Sequence, residues 1–245
     1  MRKFGLIGFP LSHSFSQNFF TQKFLKENIR DCLYQNYPIE SIQEVPSLFR
    51  SEKELCGLNV TIPYKEQIIA YLDFRDEVVG KTGACNCIKI ETGKCFGYNT
   101  DVIGFKKSLL SKLQPWHLHA LILGTGGASK AVGYVLDELG IGYSLVSRNP
   151  LPQSKNLVYT DLDQTMLESH LLIVNTSPLG MYPDTEGFPP MPYQFIHSGH
   201  YLFDLVYNPD KTIFLQKGEM QGATIQNGKE MLTIQAEESW KIWNN

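Results

Sequence analysis

Basic residues are not in excess: the 245-residue chain carries 22 Lys and Arg against 25 Asp and Glu, a formal charge of −3. That leaves no electrostatic footprint for nucleic acid, and residues such as Lys106 and Lys107 read as a solvated helix face. Long hydrophobic runs are missing too. No stretch approaches the ~18 apolar residues of a membrane span. Cysteines are few and odd in number, at positions 32, 56, 85, 87 and 95. Cys85-Asn86-Cys87 puts one residue between two thiols, where a redox or zinc knuckle wants two or more. In an extended segment these thiols share a face and read as small core hydrophobes, which suits a reducing compartment. Internal repeats and low-complexity tracts are also lacking. Met1-Arg2-Lys3 before an apolar stretch faintly resembles a secretory leader, but Gly5, Gly8 and Pro10 break it and polar residues begin at Ser12. The expectation is a soluble, cytoplasmic protein with neither nucleic acid nor membrane as partner.

What is present is an ordinary globular composition, 42% apolar and 19% charged, in a length that allows one large or two small domains. Phe4 to Gly8 reads as a short buried strand ending at Pro10. Ser16 can cap a helix whose apolar side carries Phe19, Phe20, Phe24 and Leu25. Strands are expected at Leu33–Ile39 and at Leu58–Ile62, the latter stopped by Pro63. A β-hairpin is expected over Cys85–Ile90 and Cys95–Tyr98, with Glu91 to Lys94 as its turn. Asp101 can cap a helix through Phe105, Leu109 and Leu110 toward Pro115. A parallel α/β pattern follows: strand Ala120–Leu123, glycine turn, helix Ser129–Leu139, strand Tyr143–Ser147. Further strands are expected at Leu171–Asn175, Tyr201–Leu205 and Ala223–Ile225, then a helix from Lys229 to Trp243. The segment Tyr182–Pro192, with four prolines, reads as a surface loop.

The glycine turn carries the first chemistry. Gly124-Thr125-Gly126-Gly127-Ala128-Ser129 lies directly between a strand and a helix. Its first glycine makes the tight turn, its second lets backbone N–H groups approach a pyrophosphate, and the helix start supplies partial positive charge. The third fingerprint glycine is replaced by Ser129, but the flanking elements arrive on schedule. An NAD site wants a carboxylate at the tip of the second strand, and a site for a 2′-phosphate wants an arginine. Here the tip reads Ser147-Arg148-Asn149, without an acid. Arg148 can pair with a 2′-phosphate, helped by the Ser147 hydroxyl and the Asn149 amide, so the expected cofactor is NADP(H).

In the first hundred residues, Ser14 and Ser16 point the same way if the chain stays extended and could hold a carboxylate together. Asn59-Val60-Thr61-Ile62-Pro63-Tyr64-Lys65 delivers Lys65 just past a strand end. Gly83-Ala84-Cys85-Asn86 and Asn99-Thr100-Asp101 add short polar side chains near strand ends. Taken in order with Asn175-Thr176-Ser177-Pro178-Leu179-Gly180-Met181, Phe203-Asp204-Leu205-Val206-Tyr207 and Met231-Leu232-Thr233-Ile234-Gln235, these segments resemble the shikimate dehydrogenase family nearly end to end. The resemblance implies an N-terminal α/β substrate domain and a Rossmann-type NADP-binding domain, with the active site in a cleft between them. It implies a reversible NADPH-dependent reduction of 3-dehydroshikimate to shikimate, a step of aromatic amino-acid (chorismate) biosynthesis. It assigns Ser14 and Ser16 to the substrate carboxylate. Thr61, Asn86, Asp101, Tyr207 and Gln235 go to the ring hydroxyls, and Lys65 with Asp101 forms the catalytic pair. It assigns Gly124, Thr125, Gly126, Gly127, Ala128, Ser147, Arg148, Asn149, Val206 and Gly228 to the cofactor, with Glu77 added in some relatives.

The domains are expected at 1–101, with the helix 229–245 packing back on it, and at 102–228; the assembly is a monomer or a homodimer. Two departures from the family pattern stand out. Pro150 and Pro152 follow Arg148 where a second basic residue is usual, with Lys155 the nearest replacement. Lys229-Glu230 stands where small or apolar residues are usual. Two rival readings use the same fold: a quinate/shikimate dehydrogenase with relaxed substrate or NAD use, and a nucleotide-binding regulator without turnover. A folate-acting dehydrogenase would explain the glycine turn but not Ser14, Ser16 and Gln235 together.

Overall fold

The computed structural model describes residues 1–11, 15–148 and 156–245. The chain divides into two units, Met1–Ile103 with Thr233–Asn245, and Gly104–Leu232.

The first unit is built on a six-stranded sheet. Strand β1 (Arg2–Gly8) runs parallel to β2 (Cys32–Pro38) on one side and to β3 (Leu55–Val60) on the other. Helix α1 (Phe15–Lys26) links β1 to β2, and α2 (Val45–Ser51) links β2 to β3. Next come β4 (Phe74–Arg75), α3 (Glu77–Thr82) and the hairpin β5 (Cys87–Glu91) and β6 (Lys94–Tyr98), giving the order β2-β1-β3-β5-β6-β4. The hairpin turn is Thr92-Gly93, both residues at positive φ, which is the backbone a two-residue turn demands.

Alternation along β1 feeds two cores. Phe4 and Leu6 join Phe20, Phe24, Tyr34 and Trp243, while Ile7 faces Val45, Leu58, Val60 and Ile88. Trp243 lies near the end of α8 (Lys229–Asn244), stacks on Phe4 at 4.8 Å and donates its indole N–H to the Ile88 carbonyl. Gly57 makes room for it: a Cβ there would run into the indole ring.

Several expectations need correction here. Helix α1 starts at Phe15, so Ser16 sits in its first turn and does not cap it. Leu25 is 69% exposed, because the buried stripe is Phe20 and Phe24, one turn apart. Cys85 precedes β5 and packs in the Ile7 core, while Cys87 packs in the Phe4 core, so the two thiols do not share a face. Both are fully buried, and burial pushes the Cys85 thiol up to about 12.

The second unit begins within α4 (Thr100–Leu110). That helix starts at Thr100, so Asp101 occupies its first turn and is not its cap, and Leu110 is exposed. Strand β7 (His119–Leu123), helix α5 (Gly127–Glu138) and strand β8 (Gly142–Val146) follow. Then come α6 (Gln164–Ser169), β9 (Leu172–Asn175), β10 (Tyr201–Asp204), α7 (Ile213–Met220) and β11 (Thr224–Gln226). All neighbours in the order β11-β10-β9-β7-β8 are parallel. Strands β9 and β10 are buried throughout, as a sheet covered on both faces requires. The chain goes from β7 outward to β8 and then returns to the other side of β7 for β9. That reversal is the place where ligands sit in open parallel sheets, beyond the strand ends. The proline-rich 182–192 segment is irregular, as expected, but not all of it is surface, since Met191 is buried in the core of this unit.

Candidate active site

In the first unit the chain leaves β3 at Val60 and turns through Thr61 and Pro63. The Thr61 N–H donates to Ile7, and the Tyr64 N–H donates back to Thr61. The buried Tyr64 donates its hydroxyl to the Ile39 carbonyl, and the Cys85 N–H donates to the Lys65 carbonyl. Lys65 is thus fixed both through its neighbour and through its own backbone. Its Nζ lies 2.7 Å from Oδ2 of Asp101, 36 residues further along the chain. The lysine side chain is 18% exposed and that of the aspartate 9%, so the pair is shielded yet still reachable.

A buried polar circuit runs through Thr100, the residue before Asp101. Asn86 joins Thr100 and Gln235, and Ser239 joins Asn59, Thr100 and the Gln235 backbone. Tyr34 donates to Asn59 Oδ1 at 2.9 Å; burial raises its phenol well above the usual range, and the Ser16 hydroxyl beside it counters that in part. Of the expected substrate residues in this unit, the structure therefore links Asn86 and Gln235 in one network, with the buried Ser16 beside Tyr34. Thr61 is half-buried at the end of β3, and Ser14 lies outside the described residues. Sequence reasoning gives no role to Asn59, Thr100, Ser239 or Tyr34. Asn59 and Thr100 stand inside segments that carry the family resemblance. Ser239 falls one helical turn beyond Gln235, a spacing that puts both on one face. Tyr34 in a strand reads simply as core. Glu77 is exposed in the first turn of α3, where it pairs with Lys81 at 2.5 Å.

In the second unit β7 ends at Leu123, and Gly124 takes φ +121°, a conformation that favours glycine. A Cβ there would also lie 2.7 Å from Thr176 Oγ1, just past β9. The Gly124 N–H donates to Val146 and the Thr176 N–H to Leu123, so the turn is tied to both neighbouring strands. Gly126 is the N-cap of α5 and offers no side chain to its first turn, and the space beside it is open. Ser129, in place of the third glycine, is buried and donates its hydroxyl to the Gly126 carbonyl at 2.6 Å. A turn with uncapped helix N–H groups and open space fits a dinucleotide's pyrophosphate.

Beyond Val146, the Ser147 N–H donates to Leu157 and Arg148 is exposed. Burial pushes the Tyr159 phenol up, and the charge of Arg148 counters that push in part. Tyr159 carries no sequence signal. Asn149 and Lys155 lie outside the described residues.

At the end of β10, Asp204 is fully buried and accepts from Thr212 at 2.5 Å, Asn175 at 2.9 Å and the Val206 N–H at 3.0 Å. No cation is among these partners, and burial pushes its carboxyl up to about 7. Asp204 thereby ties together the ends of β9 and β10 and the cap of α7. Val206 is buried and accepts from the Gly228 N–H at 3.1 Å, while Tyr207 belongs to this second unit. The unusual Lys229-Glu230 pair leaves that contact intact; Glu230 accepts from Gln226 at 2.9 Å.

Residues 6–88 match the family model described as the shikimate dehydrogenase substrate binding domain. A shikimate dehydrogenase (NADP(+)) from Staphylococcus aureus is 37% identical over 99% of this chain and 92% of its own length. Among solved structures, shikimate dehydrogenase 1 from Peptoclostridium difficile is 35% identical with a TM-score of 0.83, covering 100% of this chain and 92% of that one. The shikimate 5-dehydrogenase from Thermus thermophilus, solved in complex with NADP(H) and shikimate, is 27% identical with a TM-score of 0.86, covering 99% and 93%. With its two α/β units, one carrying the paired lysine and aspartate and the other the glycine turn, this chain belongs to the shikimate dehydrogenase family.

Proposed function

We propose that this chain catalyses the reversible NADPH-dependent reduction of 3-dehydroshikimate to shikimate. The observation that carries the reading is the shielded Lys65–Asp101 pair, two residues distant in sequence held at 2.7 Å. In the reductive direction the Lys65 ammonium donates a proton from Nζ to the ketone oxygen as negative charge develops on it. Asp101 holds that ammonium in place by accepting one of its protons. In the oxidative direction Lys65 takes the hydroxyl proton back. Such acid–base assistance is typically worth ~10²–10⁴ in rate, about 3–5 kcal/mol.

Ser14 and Ser16 hold the substrate carboxylate in this reading, and Thr61, Asn86, Asp101, Tyr207 and Gln235 the ring hydroxyls. The cofactor residues are Gly124 to Ala128, Ser147, Arg148, Asn149, Val206 and Gly228, with Glu77 from the first unit. NADPH, when bound, supplies the hydride. The chain's own part is to cradle the pyrophosphate at the uncapped start of α5 and to meet a 2′-phosphate with Arg148.

The first unit is then the substrate domain, completed by the C-terminal part of α8, and the second the cofactor domain. The place of action is the cytoplasm, in the biosynthetic route to chorismate. Free thiols at all five cysteines support a reducing compartment, and among the described residues no helix is long and apolar enough to cross a membrane. Purified protein mixed with shikimate and NADP⁺ should develop the absorbance of reduced nicotinamide, faster than with quinate or with NAD⁺. No absorbance change with any of the four pairs would favour a non-catalytic nucleotide-binding role.

A further inference from the structure

The buried circuit around Gln235 can be read proton by proton. Its fixed point is the Thr100 N–H, which can only donate and lies 2.7 Å from Asn86 Oδ1. That settles which end of the Asn86 amide is oxygen. Its NH2 group therefore faces Thr100 Oγ1 at 3.0 Å and Gln235 Oε1 at 3.2 Å, and these two acceptors use both of its protons. Gln235 is thus held by its oxygen, and its own NH2 is left for something else. A second fixed point is the Asn86 carbonyl, which can only accept. It takes a proton from Asn59 Nδ2, whose other partner is Ser239 Oγ at 2.9 Å. Ser239 gives its proton to the Gln235 carbonyl one turn back, at 2.8 Å. The single Thr100 hydroxyl proton closes the circuit, shared among Ser239 Oγ and Asn86 Oδ1 at 3.3 Å and Gln235 Oε1 at 3.4 Å.

Thr100 is 1% exposed and Ser239 not at all, so neither hydroxyl is placed to touch a ligand. Without the Thr100 hydroxyl the Gln235 oxygen keeps one donor in reach, the Asn86 NH2, in place of two, and the amide is held less firmly. We infer that Thr100, braced by Ser239, is a positioning residue that works with Asn86 to hold Gln235 as a hydrogen-bond donor, so that this corner of the site reads an acceptor oxygen on the substrate. The inference rests on the substrate role of Gln235 proposed above.

The test is steady-state kinetics on Thr100→Val and Thr100→Ser, each alone and combined with Gln235→Ala, with thermal melts of every variant. Thr100→Val keeps the shape and the backbone N–H but loses the hydroxyl. It should raise KM for shikimate about tenfold, with kcat within about threefold and KM for NADP unchanged (tenfold corresponds to about 1.4 kcal/mol). Thr100→Ser should restore KM to within about twofold. In the Gln235→Ala background, Thr100→Val should add less than about twofold, since there is no amide left to orient. Ser239→Ala offers the same coupling test if Thr100→Val melts too low to assay. An equal KM increase in both backgrounds would overturn the inference. So would a fall in kcat at unchanged KM, which would mean that Thr100 acts through its neighbour Asp101. If Gln235→Ala itself leaves KM unchanged, the substrate assignment of Gln235 fails, and the inference fails with it.

Discussion

In the first unit, side chains from β2, β3, α4 and α8 meet in a closed circuit of hydrogen bonds, and Lys65 pairs with Asp101. In the second, the turn between β7 and α5 offers backbone N–H groups to open space, and one exposed arginine stands past β8. The first arrangement gains its shape from specific functional groups far apart in sequence. The second gains it from a backbone path that two neighbouring strands hold in place. A ligand with several hydroxyls on a rigid ring needs the first kind of site, because each oxygen must be met from a different direction. A pyrophosphate needs the second kind, because repeated N–H groups at a helix start meet its charge without any particular side chain. Substitutions at the lysine–aspartate pair of the first unit should therefore act through chemistry, and those at the cofactor turn of the second through affinity.

The sharpest way to break this contrast is Lys65→Met. It should lower kcat by about two orders of magnitude or more while leaving KM for shikimate little changed. A near-normal kcat would remove Lys65 from the proton transfer and reduce the first unit to a binding surface. Arg148→Ala should act on affinity alone, raising KM for NADP about tenfold while KM for NAD scarcely moves. Equal changes for both cofactors would show that the arginine does not read the 2′-phosphate.

The smallest effect on catalysis is expected from Asp204→Asn, which separates fold from site within the second unit. The Asp204 carboxyl is raised to about 7 by burial. Its contribution to stability is complete below the usual carboxylate range and is lost as pH rises through about 7. An asparagine can still accept from Val206 and Asn175, and its NH2 can donate to Thr212. Chemical denaturation of both proteins between pH 4 and pH 8 should show the variant gaining on the parent by about 4 kcal/mol as pH rises. His117, His170 and His200 are held down by burial, so their contributions run the other way, lost as pH falls, but they are common to both proteins and cancel. A constant difference across this range would mean that Asp204 titrates as an ordinary carboxylate.

The same contrast explains what the sequence can convey. The strand–glycine–helix pattern at Ala120 to Leu139 is local, and its period and turn residues state the backbone path directly. The longer strands of both sheets are legible for that reason, within two or three residues. Helices α2, α3, α6 and α7 escape reading because they are six to eight residues long, too short for a period to declare itself. The starts of α1 and α4 mislead because Ser16 and Asp101 are good capping residues whose side chains are used elsewhere. In the first-unit site, Lys65, Asn86, Asp101 and Gln235 draw attention through ordered resemblance to a family. Nothing in spacing alone brings positions 59, 86, 100 and 239 together; only the folded sheet and the returning helix do that.

Trp243 sets an order of events on the ribosome. The indole fills the space over Gly57 and rests against Phe4, so the first unit cannot finish its interior until Trp243 has been synthesised. Residues 104 to 232 need no such wait, and the second unit is free to fold before the first has closed.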